Sequence, residues 1–413
     1  MSAVEIPVPI KRPYFTTGTK ILTGIMLIGM AGYVYRLLAG LGAVTNLDQQ
    51  HPWGLWIAFD VASGVALAAG GFTTAALADI FHRDRYHSVV RPALLTAMLG
   101  YTFVVIGLLA DLGRYYNVWH PMLPSMWQGN SVLFEVGMCV MVYLTVLYIE
   151  FLPIVVERFK GRVALPAPLS VFNRIVESLL DLCDMTLGRV TSLFIIAGVV
   201  LSCLHQSSLG TLMLIAPTKM HALWQTPIAP LLFLLSAIAV GYPMVIFESL
   251  LAARSFKLKP EMNVLSRIAR YTPILLGFYF LLKIGDITIR EVWSEVFTLS
   301  TPSIMFLIEM IVGVLAPIFI LSSAKRRNTV LSLFSGATLV IFGVALNRIN
   351  VFLVAYEPLH AVTSYFPSIV EIAVTTGLIC ALVLIYRLMV MIFPVISAPV
   401  DHAKVAPINS STM

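Results

Sequence analysis

A 413-residue chain with 59% hydrophobic and only 12% charged residues is too apolar to be a soluble domain, which would expose contiguous apolar surface far beyond what water tolerates. Its net charge of +6 comes from basic residues dispersed along the chain without any recognition element, so a nucleic-acid reader is excluded and anionic membrane lipid is the expected partner.

Ten apolar stretches follow in order, near residues 19-43, 53-80, 91-112, 130-156, 190-215, 227-252, 268-289, 302-323, 329-347 and 368-393. Each approaches the roughly 20 apolar residues that a bilayer crossing requires. The first lacks a small-residue cleavage site and is too long for a signal-peptide core, so it is expected to stay as a span. The N-terminus, alternate loops and the C-terminus, with the span ends that adjoin them, hold 21 of the 27 Lys and Arg residues. The opposite loops hold Arg114, Lys219, Arg290 and Arg348, while Arg36 and Lys283 fall inside spans. Basic residues stay on the cytoplasmic side, so both termini are expected there, in a bacterial cytoplasmic membrane. No loop exceeds about 35 residues, and no extramembrane domain is visible. The expected layout is a tail at 1-18, a transmembrane domain at 19-395 and a tail at 396-413. Trp53, Trp56, Trp119 and Trp224 sit at span ends and read as interfacial anchors.

Charges at bilayer depth cost at least ~2.5 to 3.5 kcal/mol each, yet they are frequent here. With the orientation above, the outer half holds Arg36, Asp60, Asp111, Glu135, His205, Gln206, Asp286, Glu309 and Glu371, with Arg114 just beyond, and the inner half holds Asp79, Glu150, Glu248 and Arg387. The third span ends Ala110-Asp111-Leu112-Gly113-Arg114-Tyr115-Tyr116-Asn117 and the fourth begins Asn130-Ser131-Val132-Leu133-Phe134-Glu135. At 1.5 Å per residue Glu135 lies only ~8 Å inside its helix, near the depth of Asp111. Asp111, Glu135 and Arg114 are therefore expected to meet near the outer surface, either as an ion pair that fixes packing or as a proton-exchanging site. The excess of acids over nearby bases favours the second.

Glu135, Cys139 and Tyr143 share one face of the fourth helix, and Glu150 follows two turns inward. With Glu248 they form candidate proton stepping stones from the cytoplasm, or separate tertiary contacts. In the fifth span, His205-Gln206-Ser207-Ser208-Leu209-Gly210 is unusually polar. Ser and Gln serve there as interhelical hydrogen-bond partners at least, and His205 can hydrogen-bond a carbonyl and exchange a proton near neutral pH.

The four cysteines Cys139, Cys183, Cys203 and Cys380 lack CxxC spacing, so neither an iron-sulfur cluster nor a structural disulfide is expected. Of eight histidines only His205 falls inside a span. His51, His120, His221 and His360 lie in outer loops, His82 and His87 in an inner loop and His402 in the tail, so a bis-histidine intramembrane haem is not expected. No metal site and no nucleotide loop of the GxGxxG or GxxxxGK type is visible.

In combination, the runs His51-Pro52-Trp53-Gly54-Leu55-Trp56-Ile57-Ala58-Phe59-Asp60, Tyr86-His87 to Arg91-Pro92-Ala93-Leu94-Leu95, Asp111 to Asn117, Asn130 to Glu135, His205 to Gly210 and Val245-Ile246-Phe247-Glu248 resemble the integral membrane subunit of hydrogenase-2 type complexes. That subunit belongs to the NrfD-like, polysulfide-reductase membrane-subunit superfamily. The chain is also similar to the membrane subunit of menaquinone reductase complexes of sulfate reducers. The resemblance covers nearly the whole chain. It implies an all-α polytopic membrane protein of two four-helix bundles plus flanking helices, free of haem, that takes menaquinone as substrate.

It further implies a periplasmic ferredoxin-like iron-sulfur subunit as electron donor, itself fed by a nickel-iron hydrogenase, a multihaem cytochrome c or a molybdoenzyme-like partner. Asp111 and Arg114 occupy the family's acidic-or-His plus Gly-Arg motif, and Glu135 is the acid on the next helix. Several relatives carry His at the first position, which leaves His205 open as the direct quinone ligand. The implied quinone-binding set is Asp60, Asp111, Arg114, Tyr115, Asn117, Glu135, His205 and Gln206. Asp111, Glu135 and His205 carry the chemistry, and Glu135, Tyr143, Glu150 and Glu248 the protons. Two other classes stay open: a proton-coupled secondary transporter, which would place its charges near midplane, and a purely structural anchor, in which the acids would be dispensable.

Overall fold

The computed structural model describes residues 6–360 and 364–398. His402 and the rest of 399–413, expected in the C-terminal tail, lie outside the described residues, as do residues 1–5. Ten helices among the described residues are long and apolar enough to cross a membrane. They are α1 (Thr17–Ala39), α2 (Trp56–Ile80), α3 (His87–Asp111), α4 (Val132–Phe159), α5 (Pro168–Ile215), α6 (Ala229–Phe256), α7 (Met262–Ile289), α8 (Thr301–Ser322), α9 (Val330–Val354) and α10 (Ile369–Ile392).

Neighbours in the chain pack side by side, and the ring closes twice. Helix α2 meets α3, α3 meets α4, α4 meets α5 and α5 returns to α2. In the same way α6, α7, α8 and α9 close on one another. The two bundles join where α6 packs on α2 and α5 and where α9 packs on α2. Helices α1 and α10 flank the first bundle as a closely packed pair against α2 and α3. This is the architecture of two four-helix bundles with flanking helices.

Between lipid-facing helices no hydrophobic gradient drives association, so close approach of small residues supplies the packing. A Cβ added at Gly29 of α1 would stand 2.6 Å from the Gly377 Cα of α10, and Gly313 of α8 and Gly343 of α9 would overlap each other's backbone in the same way. Only Gly permits those two crossings.

Two short strands, Ile6–Pro7 and Ser397–Ala398, pair antiparallel with Ile6 opposite Ala398. They tie the two ends of the described chain together on one side, the tail side.

Several span limits differ from the sequence expectation. The helix in α5 runs Asn173–Thr211 rather than starting near 190. At 1.5 Å per residue its ~58 Å exceed a ~30 Å hydrocarbon core, so its first turns project beyond the membrane. There Asp181 (3.2 Å) and Asp184 (2.7 Å) hold Lys160. Helix α2 starts at Trp56 rather than 53. Helix α9 continues through a π-helical turn, Asn350–Val354, and so Arg348, expected in an outer loop, is wholly buried inside the second bundle.

Candidate quinone-reactive site

Helix α3 ends at Asp111, and its last carbonyls need donors. Arg36, buried in the last turn of α1, supplies them. Its Nε donates to the Ala110 carbonyl (2.5 Å) and its Nη2 to that of Leu112 (2.5 Å), a cation on the negative end of the helix dipole. Beside it stands Asp111, whose electrostatic neighbours are Arg36, Glu371 and Asp60 and whose Oδ1 is buried without a partner. Asp60 lies on the π-helical stretch Trp56–Ser63 of α2 and accepts from Thr375 Oγ1 (2.5 Å). Glu371, fully buried in the first turn of α10, closes a capping box with Ser368. It also accepts from the Asn46 backbone N–H (3.2 Å) and from the Tyr365 hydroxyl. Burial and this carboxylate push the Tyr365 phenol above its ordinary pKa. Three acids and one guanidinium thus converge where α1, α2, α3 and α10 meet, on the side opposite the tails.

A second cluster lies across α3, between α4 and α5. Glu135, exposed in the first turn of α4, accepts from Ser208 Oγ (2.6 Å). One turn below Ser208, His205 is buried with Nδ1 3.3 Å from the Tyr101 hydroxyl and Nε2 unpartnered. Gln206 donates to the Val65 carbonyl (2.7 Å) while its Oε1 has no partner. The Tyr101 ring meets that of Tyr143 edge-on at 4.6 Å. Tyr143 in turn lines a cavity of ≈ 360 Å³ together with Glu150, Asp79 and Arg91. A polar file therefore descends the first bundle from Glu135 through Ser208, His205, Tyr101 and Tyr143 to Glu150 and the tail side.

Several expectations need correction. Arg114 is exposed and makes no ion pair among the described residues, because α3 ends before it and the chain turns away; the cation beside Asp111 is Arg36. Asp111 and Glu135 do not meet, since one side chain faces α1 and α10 and the other faces α5. Tyr115 donates to the Leu37 carbonyl (3.3 Å) under the Arg36 guanidinium, and Asn117 completes the short 3-10 turn Tyr115–Asn117. Glu248 is not a step below Glu150. It accepts from Tyr386 (3.0 Å) in a different cavity, between α1, α3, α6 and α10. Trp56 and Trp224 are buried rather than interfacial, because each indole N–H is engaged inside the protein: Trp56 by the Glu371 carbonyl (3.3 Å) and Trp224 by the Glu309 carboxylate (3.1 Å).

Sequence reasoning assigned no role to the network inside the second bundle. Glu309, on the π-helical stretch Glu309–Leu315, accepts from Trp224 and Asn350 (2.8 Å) on one oxygen and from Asn347 (2.8 Å) and Tyr279 (3.4 Å) on the other. Lys283 donates to the Leu223 carbonyl (2.7 Å). Arg348 donates to Asn347 (2.5 Å) and Ser236 (2.9 Å) and stacks 3.7 Å from the Phe233 ring centre. Asp286 takes both the Thr226 hydroxyl and a two-pronged contact from Arg290. The available signal was that π-helical turns, which gather at functional or strained places, fall on Asp60, Asp79, Glu309 and Asn350.

The family model for polysulphide reductase, NrfD, matches residues 43–359. A protein of Nitratidesulfovibrio vulgaris (strain Hildenborough), whose name states no activity, is 38% identical over 94% of this chain and 96% of its own length. The probable Ni/Fe-hydrogenase 2 b-type cytochrome subunit of Escherichia coli K12 is 33% identical over 94% of this chain and 93% of its own. The menaquinone reductase integral membrane subunit of the same Nitratidesulfovibrio strain is 26% identical over 87% of each. The second of these names implies a haem, and the described residues offer no bis-histidine pair for one. A bis-histidine site needs two buried imidazoles face to face, whereas His205 is the one histidine buried within a span among the described residues and Tyr101 faces it. His87, at the start of α3, is half exposed beside Asp79 (3.7 Å). No group of three or more His, Cys, Asp or Glu among the described residues could hold a metal ion. With ten membrane-spanning helices and a family match over most of its length, this chain belongs to the NrfD family of polysulphide-reductase integral membrane subunits.

Proposed function

We propose that this chain is the haem-free quinone module of a respiratory complex in the bacterial cytoplasmic membrane. It takes electrons from a periplasmic ferredoxin-like iron-sulfur subunit on the side opposite the tails and delivers them to menaquinone. The observation that carries the reading is the set of buried polar atoms without protein partners in the first bundle and beside it: Asp111 Oδ1, His205 Nε2 and Gln206 Oε1. Buried polar atoms are normally paired, and a group of unpaired ones on neighbouring ionisable and amide side chains is accounted for by a ligand with complementary atoms. A quinone has two carbonyl oxygens on an apolar ring. Its reduction takes two electrons, which the partner supplies, and two protons, which acids at the site supply.

In this reading Glu135, held by Ser208, hands a proton to the quinone, which His205 hydrogen-bonds, and Asp111, held beside Arg36 in the cluster across α3, is the second acid that supplies protons. Asp60, Tyr115 and Gln206 shape the pocket. Exposed Arg114 belongs instead to the surface on which the iron-sulfur partner docks, with Asn117 in the adjoining turn. The file through Tyr101 and Tyr143 to the Glu150 cavity refills Glu135 from the cytoplasm, which makes reduction electrogenic. The full-length likeness to a subunit named for Ni/Fe-hydrogenase 2 favours a nickel-iron hydrogenase as primary donor over a multihaem cytochrome c or a molybdoenzyme.

The test is the purified complex in liposomes with its tail side facing an enclosed pH dye. Menaquinone reduction should raise the pH of the tail-side compartment, and Glu150→Gln should abolish the rise. Reduction without any tail-side uptake would reject the proton route, and a complex that reduces its iron-sulfur partner but never menaquinone would reject the reading itself.

A further inference from the structure

The cavity that holds Glu248 has no part in that route. It measures ≈ 260 Å³ and lies between α1, α3, α6 and α10. Glu248 is two turns, ~12 Å, from the tail-side end of α6, so the cavity sits at the depth of the inner leaflet. Its lining is mostly apolar, and exposed Leu251 and Val383 on its rim face the lipid. Arg387 Nε is buried in the cavity without a partner, and Glu248 Oε2 and Thr96 Oγ1, which interact with each other, have no other partner. All three residues are more than nine-tenths buried. Their other polar atoms are committed. Tyr386 donates to Glu248 Oε1 (3.0 Å), and Arg387 spans Ser255 Oγ (2.7 Å) and the Pro13 carbonyl (2.8 Å). These contacts hold the Glu248 carboxyl and the Arg387 guanidinium in place.

The chemistry of the lining selects among membrane amphiphiles. An acyl chain alone would leave Arg387 Nε unsatisfied and give the Glu248–Thr96 pair no further partner. A phosphate headgroup would gain Arg387 but face the Glu248 carboxyl. A neutral ring with oxygens at both ends meets every requirement, since Arg387 Nε donates to a carbonyl, Glu248 accepts from a hydroxyl and Thr96 does either. We infer that this cavity is a second binding site, facing the inner leaflet, for the headgroup of an isoprenoid quinone or quinol. Tyr386 and Ala252 line both this cavity and a ≈ 540 Å³ cleft on the tail face bounded by Ser88, Lys259 and Glu261, so the two adjoin. The inference shares with the proposed function only the class of ligand, and its test reads each site separately.

The experiment uses the intact complex in lipid nanodiscs, a photoreactive azido-naphthoquinone as probe and peptide mass spectrometry as readout. Wild type should be labelled in peptides covering 244–256 and 382–387, with labelling competed by menaquinone and not by phosphatidylglycerol. Ala252→Leu, which narrows the cavity, should lower that labelling at least about tenfold while labelling near His205 persists. Should Ala252→Leu fail to assemble, Glu248→Ala decides, and the same loss is expected. Labelling confined to the His205 region, competition by phosphatidylglycerol instead of menaquinone, or inner labelling indifferent to both variants would each overturn the second site. Absence of label near His205 with inner label present would reject the outer site instead.

Discussion

In the second bundle the buried acid Glu309 is met by four donors on its two oxygens, and Asp286 is held by Thr226 and Arg290. In the first bundle and its flank, Asp111 keeps a buried oxygen free, Glu135 has a single hydroxyl partner at an exposed position, and His205 keeps one ring nitrogen free. The two regions carry similar residue types at similar depth. Their acids differ in saturation, although Arg348 Nε and Asn350 Oδ1 in the second bundle also lack partners. A saturated buried carboxylate has no lone pair left for a substrate and acts to fix helices, whereas an unsaturated one is costly to fold and is explained by what it binds.

The comparison would break most visibly at Glu309. Glu309→Ala strips four donors of their acceptor and leaves Lys283 and Arg348 uncompensated, so it should cost about 3–5 kcal/mol and deplete assembled protein from the membrane. Normal yield and thermal stability of this variant would show that the second network does not hold the fold. Gly198→Ala probes the opposite kind of position. A Cβ there would stand 2.6 Å from Glu150 Oε1 and displace that carboxylate within its cavity. Quinone reduction should slow about tenfold, equivalent to ~1.4 kcal/mol on the barrier, with partner reduction and melting unchanged.

Ser208→Ala removes the one hydrogen bond to Glu135 and should cost about 1 kcal/mol of stability. A larger loss would move Glu135 toward the structural class. The smallest effect lies outside the membrane. The His51 backbone N–H (2.6 Å) chiefly, with that of Gln50 (2.8 Å), holds Asp48 below its ordinary value of 3.8. Because the folded pKa is depressed, this turn's contribution is present above pH 3.8 and is lost as pH falls through the folded value. Amide exchange of residues 48–51 should therefore stay protected at pH 5 and rise below pH 3.8, while exchange in the Glu309 network stays flat.

The spans were legible because roughly 20-residue apolar runs and the alternation of basic loops are consequences of the bilayer itself. That Asp111, Glu135 and His205 lie near span ends was legible for the same reason. Partners across helices were not. Arg36 and Arg114 are equally plausible companions for Asp111 along the sequence, and only the packing of α1 and α10 against α3 brings Arg36 to the helix end. Likewise Glu150 and Glu248 sit at matching depth but open into different cavities, because their helices face different neighbours. Arg348 was misplaced since a π-helical turn extends α9 past the point where hydropathy falls.

The most direct test is electron transfer from the reduced iron-sulfur partner to menaquinone in the purified complex, comparing wild type with Asp111→Asn and Glu135→Gln after assembly is confirmed. The expected result is a loss of quinone reduction on the order of 100-fold in each variant, the scale of a lost general acid, with reduction of the partner intact. Unchanged turnover in both variants would make those acids packing groups and contradict the account.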